Sequence, residues 1–464
     1  MKKLIILFLL LCSFTFISKS YSQLPNQNMY VLRNLNQHAS TNPYSAIWGY
    51  KAPDGREYAI LGCGTGTAFV DITDSANIHE VDFLTGPNSA WREMKTYSHY
   101  AYIVSEASNS GVQIVDLQYL PDSVHLVKKF VAPTHSSTHS ISQSGPYLYL
   151  NGCNESFVGN GGIVIFDLTV DPETPVVRGK WTSLYVHDSR IVDDTIFAAN
   201  IGDEKVSIIN ATNKASLSSI TSFTNLPGSG PHNTALTTNK KRLFVTDEIG
   251  SVSPHLLKIW NIEDLTNITY VTNWQPTGIT TSIVHNIEIY GDYAIVAHYS
   301  AGVRVINIAN PDSPQEVAWY DTYPSNNSQS YNGCWGVYMF PSGKIIASDR
   351  QTGLYVLKSN LMLTGIGNNV VNTIPEKFSL EQNLPNPFNP TTNIRFTLPE
   401  NSNVKLNVFN IAGQEVAQLL NENRSAGTYD ITFDANRYGL TSGLYFYTLT
   451  SNNFKETKKM ILLK

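Results

Sequence analysis

Four histidines each stand just ahead of an alternating apolar run that turns and comes back: THSISQSGPYLYLNG (138–152), VHDSRIVDDTIFAAN (186–200), PHNTALTTNKKRLFVTD (231–247) and VHNIEIYGDYAIVAH (284–298). A neutral imidazole donates through one ring nitrogen and accepts, or ligates a metal, through the other. The spacing of His139, His187, His232 and His285 is far too wide for a local metal motif on one helix. These side chains meet only if the chain returns to the same place once per repeat.

The repeat that would bring them together is legible. A Gly or small residue, alternating apolar residues and then Asp or Asn recur as TAFVDIT (67–73), GVQIVDL (111–117), GIVIFDL (162–168), KVSIINA (205–211), LLKIWNI (256–262) and GVRVINI (302–308), with a seventh run at GLYVLKS (353–359). The acid or amide falls at Asp71, Asp116, Asp167, Asn210, Asn261 and Asn307, at intervals of 45, 51, 43, 51 and 46. That period belongs to a four-stranded propeller blade, about 40–50 residues long. In the sixth repeat HNIEIY and YAIVAH form a hairpin at Gly291-Asp292, GVRVINI follows, and QEVAWYD after NPDSP is the fourth strand. Helical periodicity is absent. The seventh repeat lacks a fourth strand, and MYVLRNL (29–35) is an orphan that would supply it. The expected fold is all-β, a seven-bladed propeller closed by this N-terminal strand.

In such a blade the first strand lines the channel and the second returns to the face where the first began. Seven openers therefore gather at one mouth: Trp48, Trp91, His139, His187, His232, His285 and Trp335. The residues ending the second strands join them: Cys63, Glu106, Gly152, Asn200, Asp247, His298 and Asp349.

Three readings of this mouth stand side by side. The histidines are structural bridges in a wet channel, with the following Ser140, Asp188, Asn233 or Asn286 satisfying neighbouring backbone. Alternatively they hold a divalent metal, Zn²⁺, Cu²⁺ or Fe, with carboxylates such as Glu106, Asp247 and Asp349 and with Asp188 orienting a ring. Or the mouth binds an organic ligand, with Trp48, Trp91 and Trp335 as stacking faces and Glu106, Asp247, His298 and Asp349 as polar partners. A carbohydrate, a peptide or a protein would suit that rim. The functional expectation is a surface binding protein, with a metal-dependent hydrolase or oxidase as the alternative.

Composition bounds the rest. The 464 residues exceed one ordinary domain, 42% are hydrophobic and 15% charged, and the net charge is −5. There is no basic footprint for nucleic acid. No Walker loop, nucleophile elbow or dinucleotide fingerprint occurs, and the GxGxG of LGCGTGTAF (61–69) runs from strand to strand with no helix to hold a phosphate. Lys2 and Lys3 before LIILFLLLCSFTFI read as a secretory signal peptide over 1–22, leading to the periplasm, and no later stretch is apolar enough to span a membrane. Cys63, Cys153 and Cys334 remain after its removal. They are read as three small buried residues, with a Cys63–Cys334 bridge as the alternative, because ring closure would bring those two together.

The repeats at 23–358 resemble the LVIVD repeats of secreted bacterial β-propellers of the choice-of-anchor B type. Residues 359–376 lose the pattern and read as a linker. Beyond them NPFNPTT, GLYFY and a terminal KKMILLK resemble the type A sorting domain of type IX secretion, over 377–464. Short strands at TNIRFTL, VKLNVFN, YDITFDA, LYFYTLT and KKMILLK predict a small Ig-like β-sandwich. The resemblance implies handling by the type IX machinery and delivery to the outer cell surface or the medium. A monomer is expected.

Overall fold

The computed structural model describes residues 26–131, 136–153, 161–227, 230–249, 254–361, 377–383, 386–400, 402–424, 427–452 and 454–463. The signal-peptide reading and most of the linker reading lie outside them. Among the described residues the chain is β-structure with two short 3₁₀ turns, at Ile201–Asp203 and Ala435–Tyr438.

Residues 26–359 form seven antiparallel sheets among the described residues. Six begin with four consecutive strands, the first of these being Ile47–Lys51, Glu57–Cys63, Gly66–Asp71 and His79–Thr85. The first strands of the sheets are Ile47–Lys51, Arg92–Tyr97, Ser140–Ser144, Asp188–Val192, Gly230–Leu236, Ile287–Tyr290 and Cys334–Met339. Each touches the next, and Cys334–Met339 touches Ile47–Lys51, so the circle closes. This is a β-propeller, and its inner strands read as near-continuous buried runs because both faces pack on neighbouring sheets.

The seventh sheet holds the three strands Cys334–Met339, Lys344–Asp349 and Gly353–Ser359, and its fourth is Met29–Leu35. Met29 pairs with Ser359 and Leu35 with Leu354, with one register shift between Val31 and Arg33. The orphan strand therefore fills the place read for it. A second tie was not legible: Asn26–Gln27 adds to the sixth sheet by pairing with Tyr320 and Trp319.

The repeated sequence signature has a mechanical cause at both ends. Asp71, Asp116, Asp167, Asn210, Asn261 and Asn307 each accept the backbone N–H two residues on, at 2.7–2.9 Å for the first four and at 3.0 and 2.9 Å for the last two. Each closes an Asx turn that stops the third strand. The glycine that opens that strand lies against the backbone of the fourth. At Gly302, where φ is +78°, a Cβ would collide with the Tyr320 carbonyl oxygen. At Gly353, φ +83°, it would collide with the carbonyl oxygen of Leu35, so the N-terminal strand receives the same close contact as a true fourth strand.

Cys63, Cys153 and Cys334 are buried thiols that form no disulfide with one another. Cys63 packs in the core of the first sheet and Cys334 in that of the sixth and seventh, so the bridge weighed above does not form. Burial pushes the Cys63 thiol up to about 12, which leaves it unreactive.

The C-terminal region has a three-stranded sheet (Ser379–Leu380, Thr391–Leu398, Gly427–Asp434) and a four-stranded one (Glu415–Arg424, Ser402–Asn410, Gly443–Ser451, Phe454–Leu462). They enclose one core that includes Ile394, Phe396, Leu406, Phe433, Tyr447 and Met460. Glu415–Arg424 escaped the sequence reading because most of its positions stay at least partly exposed, which blurs the alternation.

Replacing Gly302 with Ala is expected to cost at least about 2 kcal/mol, from a positive φ plus backbone overlap. Gly145→Ala, with φ +55° and open space around it, is the control and should cost only about 1 kcal/mol. Urea unfolding of both variants measures the difference, and equal costs would remove the close-contact explanation.

Candidate functional site

The local backbone puts each histidine at the start of an inner strand. The His139, His187 and His285 N–H groups donate to Asn151, Ala199 and Ala297 carbonyls at 3.1, 2.9 and 2.9 Å, fastening them to the end of the second strand. The residues that follow tie adjacent sheets together: Ser140 Oγ donates to the His187 carbonyl at 2.7 Å, and Asn233 Nδ2 donates to Asp188 Oδ2.

The four rings form a continuous arc. Centroids lie 4.0 Å apart for His139–His187, 4.3 Å for His187–His232 and 3.9 Å for His232–His285. Trp335 continues the arc, 4.6 Å from His285. Trp91 borders the same small cavity, about 20 Å³, and is 40% exposed where Trp335 is 7%. Trp48 does not reach this mouth. It lines the channel further in, with Lys95 Nζ 4.1 Å from its ring centre and Tyr338 at 5.0 Å.

The acids divide unequally. Glu106 joins the arc, with its Oε1 2.5 Å from His139 Nδ1. Asp247 does not: it is buried against Lys258 Nζ at 2.9 Å and accepts from Asn225 Nδ2 at 2.6 Å. Its neighbour Glu248 takes the inward place, with Oε2 3.7 Å from His232 Nε2 and Oε1 3.6 Å from His285 Nε2. Register shifts at Gly230/Pro231 and Pro231/Thr234 let the inward face move by one residue. Asp349 caps a turn, accepting the N–H of Gln351 and Thr352 at 2.9 Å each. His298 faces Ser282 Oγ at 3.0 Å and Trp274, away from the arc. The next residue, Tyr299, reaches in instead, donating to Glu248 Oε1 at 2.6 Å and standing 4.7 Å from His285. Glu248 and Tyr299 are thus the residues that strand alternation missed.

Burial sets the charges. It holds His187 and His232 well below the ordinary imidazole range, with neighbouring histidines adding to the effect, and His285 down to about 3. His139 goes the other way: burial lowers it, but the Glu106 hydrogen bond and charge outweigh that and raise it. Burial also raises Glu248, partly offset by the Tyr299 hydroxyl.

Below the histidines lies a polar cavity of about 300 Å³ that reaches the hairpin turns at the far ends of the inner strands. Its walls carry internally paired charges. Lys95 Nζ is 2.8 Å from Glu93 Oε1, and Arg190 clamps both Glu288 oxygens at 3.0 Å. Asp188, raised to about 6 by burial, lines both this cavity and the mouth.

Comparison with known proteins agrees with the repeat and the tail. Residues 283–322 match the LVIVD repeat, and residues 384–463 match the secretion system C-terminal sorting domain. No curated protein matches the chain. Among solved structures, a candidate 6-phosphogluconolactonase from Bacteroides uniformis aligns at 12% identity and TM-score 0.52, covering 70% of this chain and 94% of that one. A hypothetical selenium-binding protein from Sulfolobus tokodaii aligns at 12% identity and TM-score 0.50, covering 84% and 92%. These likenesses are of fold. The sorting domain marks the chain for secretion to the cell surface by the type IX system. Among the described residues no helix is long and apolar enough to cross a membrane.

His298, also held down to about 3 by burial, gives a pH test. In the unfolded chain an imidazole takes up its proton near pH 6.5, whereas the folded one resists until about 3. Stability is therefore complete above 6.5 and falls as pH drops toward 3, by about 1.4 kcal/mol per pH unit for such a group. Denaturation of His298→Gln at pH 7, 5.5 and 4.5 should show a shallower decline than the parent. Parallel declines would contradict the assignment.

Proposed function

We propose that this LVIVD-repeat protein is a seven-bladed propeller that binds a ligand at its histidine–tryptophan mouth on the cell surface, where a small Ig-like sorting sandwich delivers it. The observation that carries this reading is Trp91. It is a large aromatic left 40% exposed beside the imidazole arc, while the other two opener tryptophans are packed away. An exposed indole next to hydrogen-bonding groups is the arrangement that stacks on the apolar face of a sugar ring while His139 and Glu106 reach its hydroxyls. Carbohydrate is therefore the favoured ligand class, with a peptide or protein segment as the alternative partner. A second reading, a metal-dependent hydrolase or oxidase, is favoured by the grouping of His187 and His232 with Glu248.

A glycan array followed by tryptophan-fluorescence titration tests the first reading. The mature chain should bind at least one glycan class, and Trp91→Ala should weaken that binding about five- to tenfold, since stacking on one aromatic is worth roughly 1–1.5 kcal/mol. Binding that survives Trp91→Ala unchanged would place the ligand elsewhere.

Deleting residues 377–464 should leave the propeller folded but cell-associated inside the outer membrane. Surface protease accessibility of the deletion variant, equal to that of the full chain, would contradict the sorting role.

A further inference from the structure

Two of the four imidazoles are held in one tautomer by fixed partners. His285 Nδ1 lies 2.5 Å from the Trp335 carbonyl oxygen, which only accepts, so Nδ1 carries the hydrogen and Nε2 is a bare lone pair. That nitrogen, in a side chain 1% exposed, has no hydrogen-bond partner. It faces Glu248 Oε1 at 3.6 Å. A lone pair opposite a carboxylate oxygen is an unfavourable pairing of two acceptors. His139 Nδ1 is likewise turned to Glu106.

Between these two lie His187 and His232, whose side chains are 9% and 4% exposed as residues and whose Nδ1 atoms have no partner. One ligand atom from each of His187, His232 and Glu248 can be chosen so that all three lie within 4.8 Å of one another. A buried polar atom without a partner costs about 1–3 kcal/mol, so several in one small space need a common partner. The adjoining cavity of about 20 Å³ has room for one small occupant.

We propose that His187, His232 and Glu248 bind one divalent transition-metal ion, with Tyr299 and the Trp335 carbonyl positioning Glu248 and His285 around it. Two imidazoles and one carboxylate form a three-ligand set that leaves a further position open on a tetrahedral ion such as Zn²⁺. The Tyr299 hydroxyl on Glu248, at 2.6 Å, is the kind of outer contact that orients a ligating carboxylate. Imidazole ligation selects Zn²⁺, Cu²⁺, Ni²⁺ or Co²⁺ over Ca²⁺ and Mg²⁺, which prefer all-oxygen sites. The open position would accept an oxygen of a carboxylate or hydroxyl group entering at the mouth. This site underlies the second functional reading but does not depend on carbohydrate binding.

The test uses metals alone. The mature chain, purified without chelator, should carry about one transition metal per molecule by elemental analysis. Stripping it should lower the thermal midpoint, and Zn²⁺ but not Ca²⁺ or Mg²⁺ should restore it. Co²⁺ added to the stripped protein should give a saturable visible d–d absorption. Glu248→Gln, which keeps the shape of the side chain, should weaken Co²⁺ binding about tenfold or more, as should His187→Ala with His232→Ala. His79→Ala, a distant surface change, should not. A metal-free protein with no saturable Co²⁺ spectrum would overturn the proposal, and so would a Glu248→Gln variant that binds Co²⁺ as tightly as the parent. Loss of glycan binding in Trp91→Ala with metal retained would leave the metal site standing, so the two readings fail separately.

Discussion

Pairing between Met29–Leu35 and Gly353–Ser359 is the constraint on which the rest depends. Neighbouring sheets are joined by side-chain packing and by scattered bonds, such as the Ala46 N–H to the Arg92 carbonyl and Lys344 to Glu57 across the closure, but by no continuous ladder. Hydrogen bonding the beginning of the chain to its end makes opening the circle cost a whole strand of ladder bonds. It also removes the free edge that the last sheet would otherwise present. Closure fixes the diameter of the channel, and the diameter decides whether side chains opening different strands touch. The imidazole contacts of about 4 Å at the mouth follow from it.

The mouth then inherits a conflict. Burial favours the neutral form of His187, His232 and His285, and neutral rings still present lone pairs. The chain satisfies part of this demand with fixed partners, Glu106 for His139 and the Trp335 carbonyl for His285. It leaves His187 Nδ1, His232 Nδ1 and His285 Nε2 without one. The cavity beneath behaves differently. Most of its charges are matched in pairs, Glu93 with Lys95 and Glu288 with Arg190, while Asp188 is held by hydrogen bonds from Asn233 and the Ser189 N–H. Unmet bonding capacity is present in both layers, at Trp48 Nε1, Asn233 Oδ1 and Asn286 Oδ1 as well as at the imidazoles, but only the histidine layer offers several unpartnered ring nitrogens side by side.

Much of this was written in the repeat. The Asp or Asn that ends each third strand closes an Asx turn through its own side chain, and the glycine before that strand allows backbone to approach backbone. Both are local requirements, so each leaves its mark at a fixed place in most repeats, although Lys205 and Leu257 open their strands without a glycine and the seventh run ends in Lys358 and Ser359. The wheel of openers was legible for the same reason, since a strand start is a position in the repeat. The exceptions lie mostly where strands end, with Trp48 the one opener that misses the mouth. Asp247 and His298 were read as facing the mouth, yet Glu248 and Tyr299 occupy it. Trp48 and Trp91 hold equivalent repeat positions, yet one lines the channel and the other the rim.

By itself the sequence determined the β class, the repeat and its length, the strand that closes the circle, the sorting tail, and the four histidines. These rest on alternation and turn chemistry, which act over a few residues and recur. Tertiary structure decided which acid stands against those histidines and which ring nitrogens are left bare. Those depend on one-residue shifts in pairing between strands, and a shift of one residue exchanges the two faces of a strand without any change in its composition.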